Sequence, residues 1–279
     1  MRINQNIAAY NSFRNLSATN TQLGKSLEKL SSGFRINRAA DDAAGLAKSE
    51  SLRAEIRGSR QAIRNAQDGV SFVQTAEGAL NEVHSILQRM RELAVDAANT
   101  ATTSGVAQQA EVTELLAELT AIGGNSTFAG QTIFSNYSAT DAELTFHVGS
   151  GAGQVLEIAS DLRIATNGTG GIFNGHNLST VDLSATGGAN TAIGVIDSAI
   201  GDVSTARSTL GATQNRLEHT VANLSVAVEN LSASESRVRD TDMAEEMVSF
   251  TRHQIMVQAG TAMLAQANQV PSTVLSLLQ

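Results

Sequence analysis

Acid–base chemistry needs carboxyls that share a site, and Asp41-Asp42 is the one adjacent acidic pair in the first half of the chain. It stands directly before Ala43-Ala-Gly-Leu46, where a helix is expected to begin. The plainer reading is that the pair caps that helix and accepts its orphan N–H groups. Gly149-Ser-Gly-Ala-Gly153 resembles a phosphate-cradling loop, but a strand-like segment follows it, so no helix N-terminus is there to hold an anion. The histidines, His84, His147, His176, His219 and His253, include no pair four apart, and there is no cysteine, which leaves no spacing for a metal site. Serines and threonines abound without a nucleophile-elbow motif. Asn-X-Ser/Thr triplets, among them those beginning at Asn125, Asn136, Asn167, Asn177, Asn223 and Asn230, are accounted for by Asn/Ser/Thr richness. The chain is therefore expected to be non-enzymatic, without cofactor or metal.

The 279 residues contain 4% aromatics, no Trp and a single proline, Pro271. Apolar content comes instead from Ala, Leu, Val and Ile, which suits thin helical seams better than a ring-filled core. The net charge of −8 speaks against a nucleic-acid partner. Basic residues gather near the start (Arg2, Arg14, Lys25, Lys29, Arg35, Arg38) and acidic ones near the end (Asp240, Asp242, Glu245, Glu246), which favours the two ends meeting. Met1 to Tyr10 has no apolar core of a secretory signal, and no apolar stretch nears the ~20 residues of a membrane span.

Helical periodicity dominates. Ile193, Ile196, Ile200, Val203, Leu210, Leu217, Val221, Leu224, Val228, Leu231 and Val238 follow a three–four alternation, with Arg207, Gln214 and Glu235 at skipped positions. At ~1.5 Å per residue this predicts a rod of roughly 65–70 Å. A matching seam runs from Leu52 to Ala94, and a shorter helix over 106–122 carries Val112, Leu115, Leu116, Leu119 and Ile122. Each end has its own stripe: Ile3, Ile7, Tyr10, Phe13, Leu16, Leu23, Leu27, Leu30 and Phe34 at the start, and Met243, Phe250, Val257 and Leu264 near the end. Neither end helix can bury its stripe alone, so partners are expected to order both.

Between the helices, Thr127 to Phe134 and Leu144 to Ile158 read as strands, the latter a hairpin around Gly149–Gly153. Ala165 to Asn190, rich in Gly, Asn, Ser and Thr, reads as an exposed loop whose shortening leaves assembly intact. The fold expected is mainly α. Long antiparallel helices from both chain ends form coiled coils, with a small β-hairpin region in the middle. The expected divisions are an inner helix over 1–42, a helical rod with hairpins over 43–164, a short surface loop over 165–190, a returning rod helix over 191–240 and a second inner helix over 241–279.

Several motifs resemble bacterial flagellin. They are Leu27-Glu-Lys-Leu-Ser-Ser-Gly-Phe-Arg-Ile-Asn37, Asp41-Asp-Ala-Ala-Gly-Leu46, Arg64-Asn-Ala-Gln-Asp-Gly69, Gln74-Thr-Ala-Glu-Gly-Ala-Leu80, Leu87-Gln-Arg-Met-Arg-Glu-Leu-Ala-Val95 and the ending Gln266-Ala-Asn-Gln-Val-Pro-Ser-Thr-Val-Leu-Ser-Leu-Leu278. The final Gln279 departs from the Arg of many relatives. The resemblance implies a structural subunit that polymerises into the flagellar filament used for swimming, located outside the cell. It also implies export through the flagellar type III channel, a cytoplasmic export chaperone, and contact with the filament cap and hook-associated proteins. Subunit packing would fall to Leu23, Leu27, Leu30, Phe250, Val257 and Leu264. Arg89, Leu93 and Glu111 match the epitope read by the vertebrate Toll-like receptor for flagellin, on a surface that also serves subunit contact. As chemistry alone, Arg89 and Glu111 are solvated helix charges and Leu93 lies outside the main seam. The alternatives are a hook–filament junction protein and, in a different class, a non-flagellar coiled-coil interaction protein.

Overall fold

The computed structural model describes residues 5–99, 105–134, 144–158, 162–167, 170–173, 175–185 and 187–277, with side chains described as far as 269. The expectations for Ile3, for the Asn136 triplet and for the last two residues of the Asn167 triplet lie outside these. Among the described residues there are five α-helices: α1 (Ile7–Ser32), α2 (Ala43–Ala97), α3 (Val106–Asn125), α4 (Gly188–Arg239) and α5 (Met243–Leu277). Between α3 and α4 lie two antiparallel hairpins, β1 (Thr127–Phe128) with β2 (Gln131–Thr132), and β3 (Leu144–His147) with β4 (Val155–Ile158). A 3-10 turn spans Leu178–Thr180. The mainly helical class with a small β region in the middle is as expected.

The chain forms two compact units, Met1–Glu55 with Glu229–Gln279, and Ile56–Val228. The divisions fall inside α2 and α4 rather than at the helix breaks near 42 and 240. Local bonding explains this, because the first turns of α2 are tied to the last turns of α4. Ser49 Oγ donates to Glu235 Oε1 at 3.1 Å, and Arg239 Nη1 to Glu50 Oε1 at 3.0 Å. Asp42 caps α2, its Oδ1 accepting from the Gly45 N–H at 2.9 Å. Asp41 instead closes the preceding turn, accepting from the N–H groups of Arg38 (3.0 Å) and Asn37 (3.3 Å). The Arg38 N–H above all holds the Asp41 carboxyl below its ordinary pKa, with Asn37, Lys25 and Lys29 adding to the effect. The two carboxylates therefore have separate structural tasks.

In the larger unit α2 and α4 run antiparallel, with Arg91 paired to Asp197 (2.5 Å) and Arg207 to Glu77 (3.4 Å). The α4 seam differs in detail from the expected one. Ile196, Val203, Leu210 and Leu217 are fully buried, but the alternate positions are Ala192, Ala199, Ala206 and Thr213. Ile193 and Ile200 are only partly buried. Arg207 and Gln214 thus sit one residue outside the seam and do not interrupt it. Large and small residues alternate along the seam, and its apolar members share one core with Val73, Leu80, Leu87 and Ala94 of α2.

Both hairpins rest on α2. Phe72 meets Phe128 (centroids 5.8 Å apart, 88°) and Phe146 (5.9 Å, 62°) edge to face. Gly58 and Gly69 make room for the β3–β4 hairpin. A Cβ on Gly58 would lie 2.9 Å from Ser150 Cβ, and one on Gly69 would lie 3.2 Å from Phe146 Cδ1. Between them, Asn65 Nδ2 donates to the His147 carbonyl at 2.9 Å.

The segment over 165–190 is not the exposed loop expected. Ile172, Phe173, Leu178, Val181 and Leu183 are all buried in the main core. Gln109 of α3 clasps it from both directions, accepting from the Leu183 N–H (2.7 Å) and donating to the Val181 carbonyl (3.2 Å). His176 Nδ1 lies 2.9 Å from Asp202 Oδ2 on α4. Polar composition obscured an apolar set too irregular to show a helical or strand period.

Candidate functional site

Among the described residues no group of three or more His, Cys, Asp or Glu is placed to hold a metal ion, and no helix is long and apolar enough to cross a membrane. The distinctive surface is that of the terminal helices.

Helices α1 and α5 pair antiparallel. Asn6 Nδ2 donates to the Ala267 carbonyl (2.7 Å), Lys29 Nζ lies 3.5 Å from Glu246 Oε2, and Gly260 faces Leu16, whose Cδ1 would be 3.1 Å from an added Cβ. The inward line on α1 is Asn6, Ala9, Ser12, Leu16, Thr19, Leu23, Ser26 and Leu30. On α5 it is Glu246, Phe250, His253, Val257, Gly260, Leu264 and Ala267. Both lines step by three and four, the period of an antiparallel coiled coil. Yet on α1 only Leu16, Leu23 and Leu30 are large and apolar, one per heptad. This pair brings the two ends together while burying little apolar area.

The larger apolar side chains point away. On α1, Ile7, Tyr10, Phe13 and Leu27 are 55–73% exposed. On α5, Met243, Met247, Val248, Ile255, Met256 and Met263 are 48–63% exposed. At ~100° per residue, Met243 and Met247 flank one side of the inward line, Met256 and Met263 flank the other, and Val248 and Ile255 lie opposite. Helix α5 thus carries large apolar side chains on every side, more than a helix with a single buried face needs. Of the expected packing residues, Leu23, Leu30, Phe250, Val257 and Leu264 are half-buried in the pair, whereas Leu27 is exposed.

A clasp at the inner end of the pair escaped sequence reasoning. Phe34 and Asp240 form an antiparallel bridge, with Arg35 N–H donating to the Arg239 carbonyl (2.7 Å) and Thr241 N–H to the Gly33 carbonyl (3.0 Å). The Arg239 guanidinium covers the Phe34 ring at 4.8 Å. Gly33, the left-handed cap of α1 at φ 74°, was the visible signal that α1 stops there.

In the larger unit a charged patch joins α2 and α3. Arg89 Nε lies 2.8 Å from Glu111 Oε1, and its Nη1 3.2 Å from Glu92 Oε2. The Glu111 carboxylate, then that of Glu92, keep the Arg89 guanidinium protonated even more firmly than usual. Leu93 does not join the patch: it is buried in the core at 7% exposure. A position one turn beyond Arg89 on a 3.6-residue helix does share its side, but the seam between α2 and its partners reaches around to Leu93.

The profile of the bacterial flagellin N-terminal helical region matches residues 3–139, and that of the flagellin C-terminal helical region matches residues 193–278. A curated flagellin of Halalkalibacterium halodurans is 48% identical, with both chains covered in full. The chain belongs to the bacterial flagellin family. The flagellar filament 33 kDa core protein of Treponema phagedenis is 44% identical, again over both full lengths. The crystal structure of Bacillus cereus flagellin aligns with 58% of this flagellin and 88% of its own chain, at 27% identity and a TM-score of 0.48. This flagellin is a structural subunit of the flagellar filament that drives swimming, and not an enzyme. The outward apolar faces of α1 and α5 acquire meaning in that setting, because a self-polymerising subunit must keep part of its apolar surface uncovered.

Proposed function

We propose that this flagellin polymerises by burying the outward faces of α1 and α5 against other copies of itself. The observation that carries this reading is that α5 bears large exposed apolar side chains on every side while α1 covers only one. Leu23, Leu30, Phe250, Val257 and Leu264 zip the pair within a chain, and Leu27 with Ile7, Tyr10 and Phe13 faces neighbouring copies. The same uncovered faces explain the other partners. A cytoplasmic export chaperone would shield α5 before passage through the type III channel, and the filament cap and hook-associated proteins would cover it where the polymer ends. Seeded polymerisation of the purified chain, followed by sedimentation and electron microscopy, tests the reading. Long filaments are the expected product. A chain that stops at short oligomers would instead fit a hook–filament junction protein.

The Arg89–Glu111 patch is the proposed contact for the Toll-like receptor for flagellin. It offers a planar donor fork and carboxylates side by side on an exposed surface. Arg89→Ala and Glu111→Ala are expected to weaken signalling by purified monomer with no loss of helicity by circular dichroism. Leu93→Ala acts differently, through core packing: it should lower the unfolding midpoint along with signalling. Full signalling by the Arg89→Ala, Glu111→Ala double variant would contradict the assignment.

A further inference from the structure

Four of the six methionines of this chain lie within 21 residues of α5, at Met243, Met247, Met256 and Met263, and each is about half exposed or more. Met90, by contrast, is fully buried in the core of the larger unit. The four exposed side chains flank the α1-facing line on both sides, where the polymer reading above places contacts with other copies. We infer that these thioethers form a reversible oxidation site, at which peroxides block assembly of the free subunit. The inference rests on that reading.

The chemistry balances with a peroxide as oxidant. A sulfur lone pair attacks one peroxide oxygen, the O–O bond breaks, an S–O bond forms, and water or an alcohol leaves. The sulfur loses two electrons and the peroxide gains them. Methionine suits such an interface because its unbranched, polarisable chain adapts to irregular gaps. Its sulfoxide is polar and chiral, and a strong hydrogen-bond acceptor placed among apolar neighbours is left without a donor. Access separates the two states of the protein. In the free subunit all four methionines stand on a solvent-facing surface, whereas in the polymer the same surface is covered. Oxidation therefore acts on unassembled chains and spares assembled ones. Methionine sulfoxide reductases return the sulfoxide to the thioether, so the block can be lifted.

The experiment treats purified full-length monomer with hydrogen peroxide. Peptide mass spectrometry reads oxygen addition at Met243, Met247, Met256 and Met263, with Met1 scored separately and Met90 as the internal control for an intact core. Seeded polymerisation is then compared among untreated, oxidised and reductase-repaired protein. Oxidation is expected to raise the concentration of monomer left beside polymer by ~10-fold or more, and repair to restore it. Preformed filaments should take up oxygen at the four sites much more slowly than monomer. The quadruple variant Met243→Leu, Met247→Leu, Met256→Leu, Met263→Leu keeps side-chain volume and should polymerise equally well with and without peroxide. Normal polymerisation of monomer shown to be oxidised at all four sites would overturn the inference while leaving the polymer reading intact. Failure of repair to restore assembly, or peroxide sensitivity of the quadruple variant, would also overturn it. Absence of polymer from untreated protein would instead refute the polymer reading itself.

Discussion

Leu27→Asp is expected to leave a folded chain that forms no filaments. Leu27 is 55% exposed on α1, so a carboxylate there stays hydrated in the free subunit and disturbs neither the α1–α5 pair nor the core. In the polymer the same carboxylate is moved among apolar side chains without a partner. A loss of ~3 kcal/mol at that contact, modest for an unpaired buried charge, raises the monomer left beside polymer about 100-fold. Every subunit carries the change, so no contact escapes it. Val257→Asp gives a useful contrast, since Val257 lies in the line facing α1. It should both open the pair within the chain and abolish filaments. Sedimentation measures assembly, and limited proteolysis of the monomer separates the variants. Both ends of Val257→Asp should be trimmed faster than in the native chain, and those of Leu27→Asp should not. Filaments from Leu27→Asp at native concentrations would contradict the assignment of the outward face.

Phe173→Ala is expected to destabilise the larger unit by ~3–5 kcal/mol. Phe173 is fully buried among residues contributed by α2, α3 and α4, although it belongs to the segment that composition marks as a surface loop. The chain is pinned close to it. Ile172 N–H donates to the Arg163 carbonyl (2.8 Å), and Gly171 at φ 77° passes so near that an added Cβ would lie 2.1 Å from that carbonyl oxygen. A cavity left by the ring therefore has little freedom to collapse. Denaturant unfolding followed by circular dichroism measures the loss. An unchanged midpoint would show that the segment is dispensable, as its sequence had implied. Shortening the segment should be tolerated only where Phe173, Leu178 and Leu183 are retained.

The long helices were legible because hydrophobic periodicity survives without tertiary information. Ile196, Val203, Leu210 and Leu217 announce α4 by themselves, and Asp42 announces the start of α2. The small-residue half of the seam was harder to read. Ala192, Ala199 and Ala206 are buried beside their larger neighbours, yet an alanine in a helix carries no sign of which way it faces. The terminal stripes show the same limit. The stripe from Ile3 to Phe34 reads as a single seam, but of its described residues Leu16, Leu23 and Leu30 face α5 whereas Tyr10, Phe13 and Leu27 face outward. Separating them required knowing the partner helix. Contacts made through backbone, such as the Phe34–Asp240 bridge, leave no periodic trace. Leu93 was misread for a related reason: four residues from the exposed Arg89, it still falls within the buried face that α2 presents to the core.

In the filament, the outward faces of the terminal helices are expected to be covered by other copies of the same chain. Helical reconstruction of the filament by electron cryomicroscopy tests it most directly. Ile7, Tyr10, Phe13 and Leu27 of α1, with Met247, Val248, Ile255 and Met263 of α5, are expected to lie in contact with neighbouring subunits, and α1 to remain antiparallel to α5 within each chain. A filament held together through the larger unit alone, with those side chains open to solvent, would contradict it.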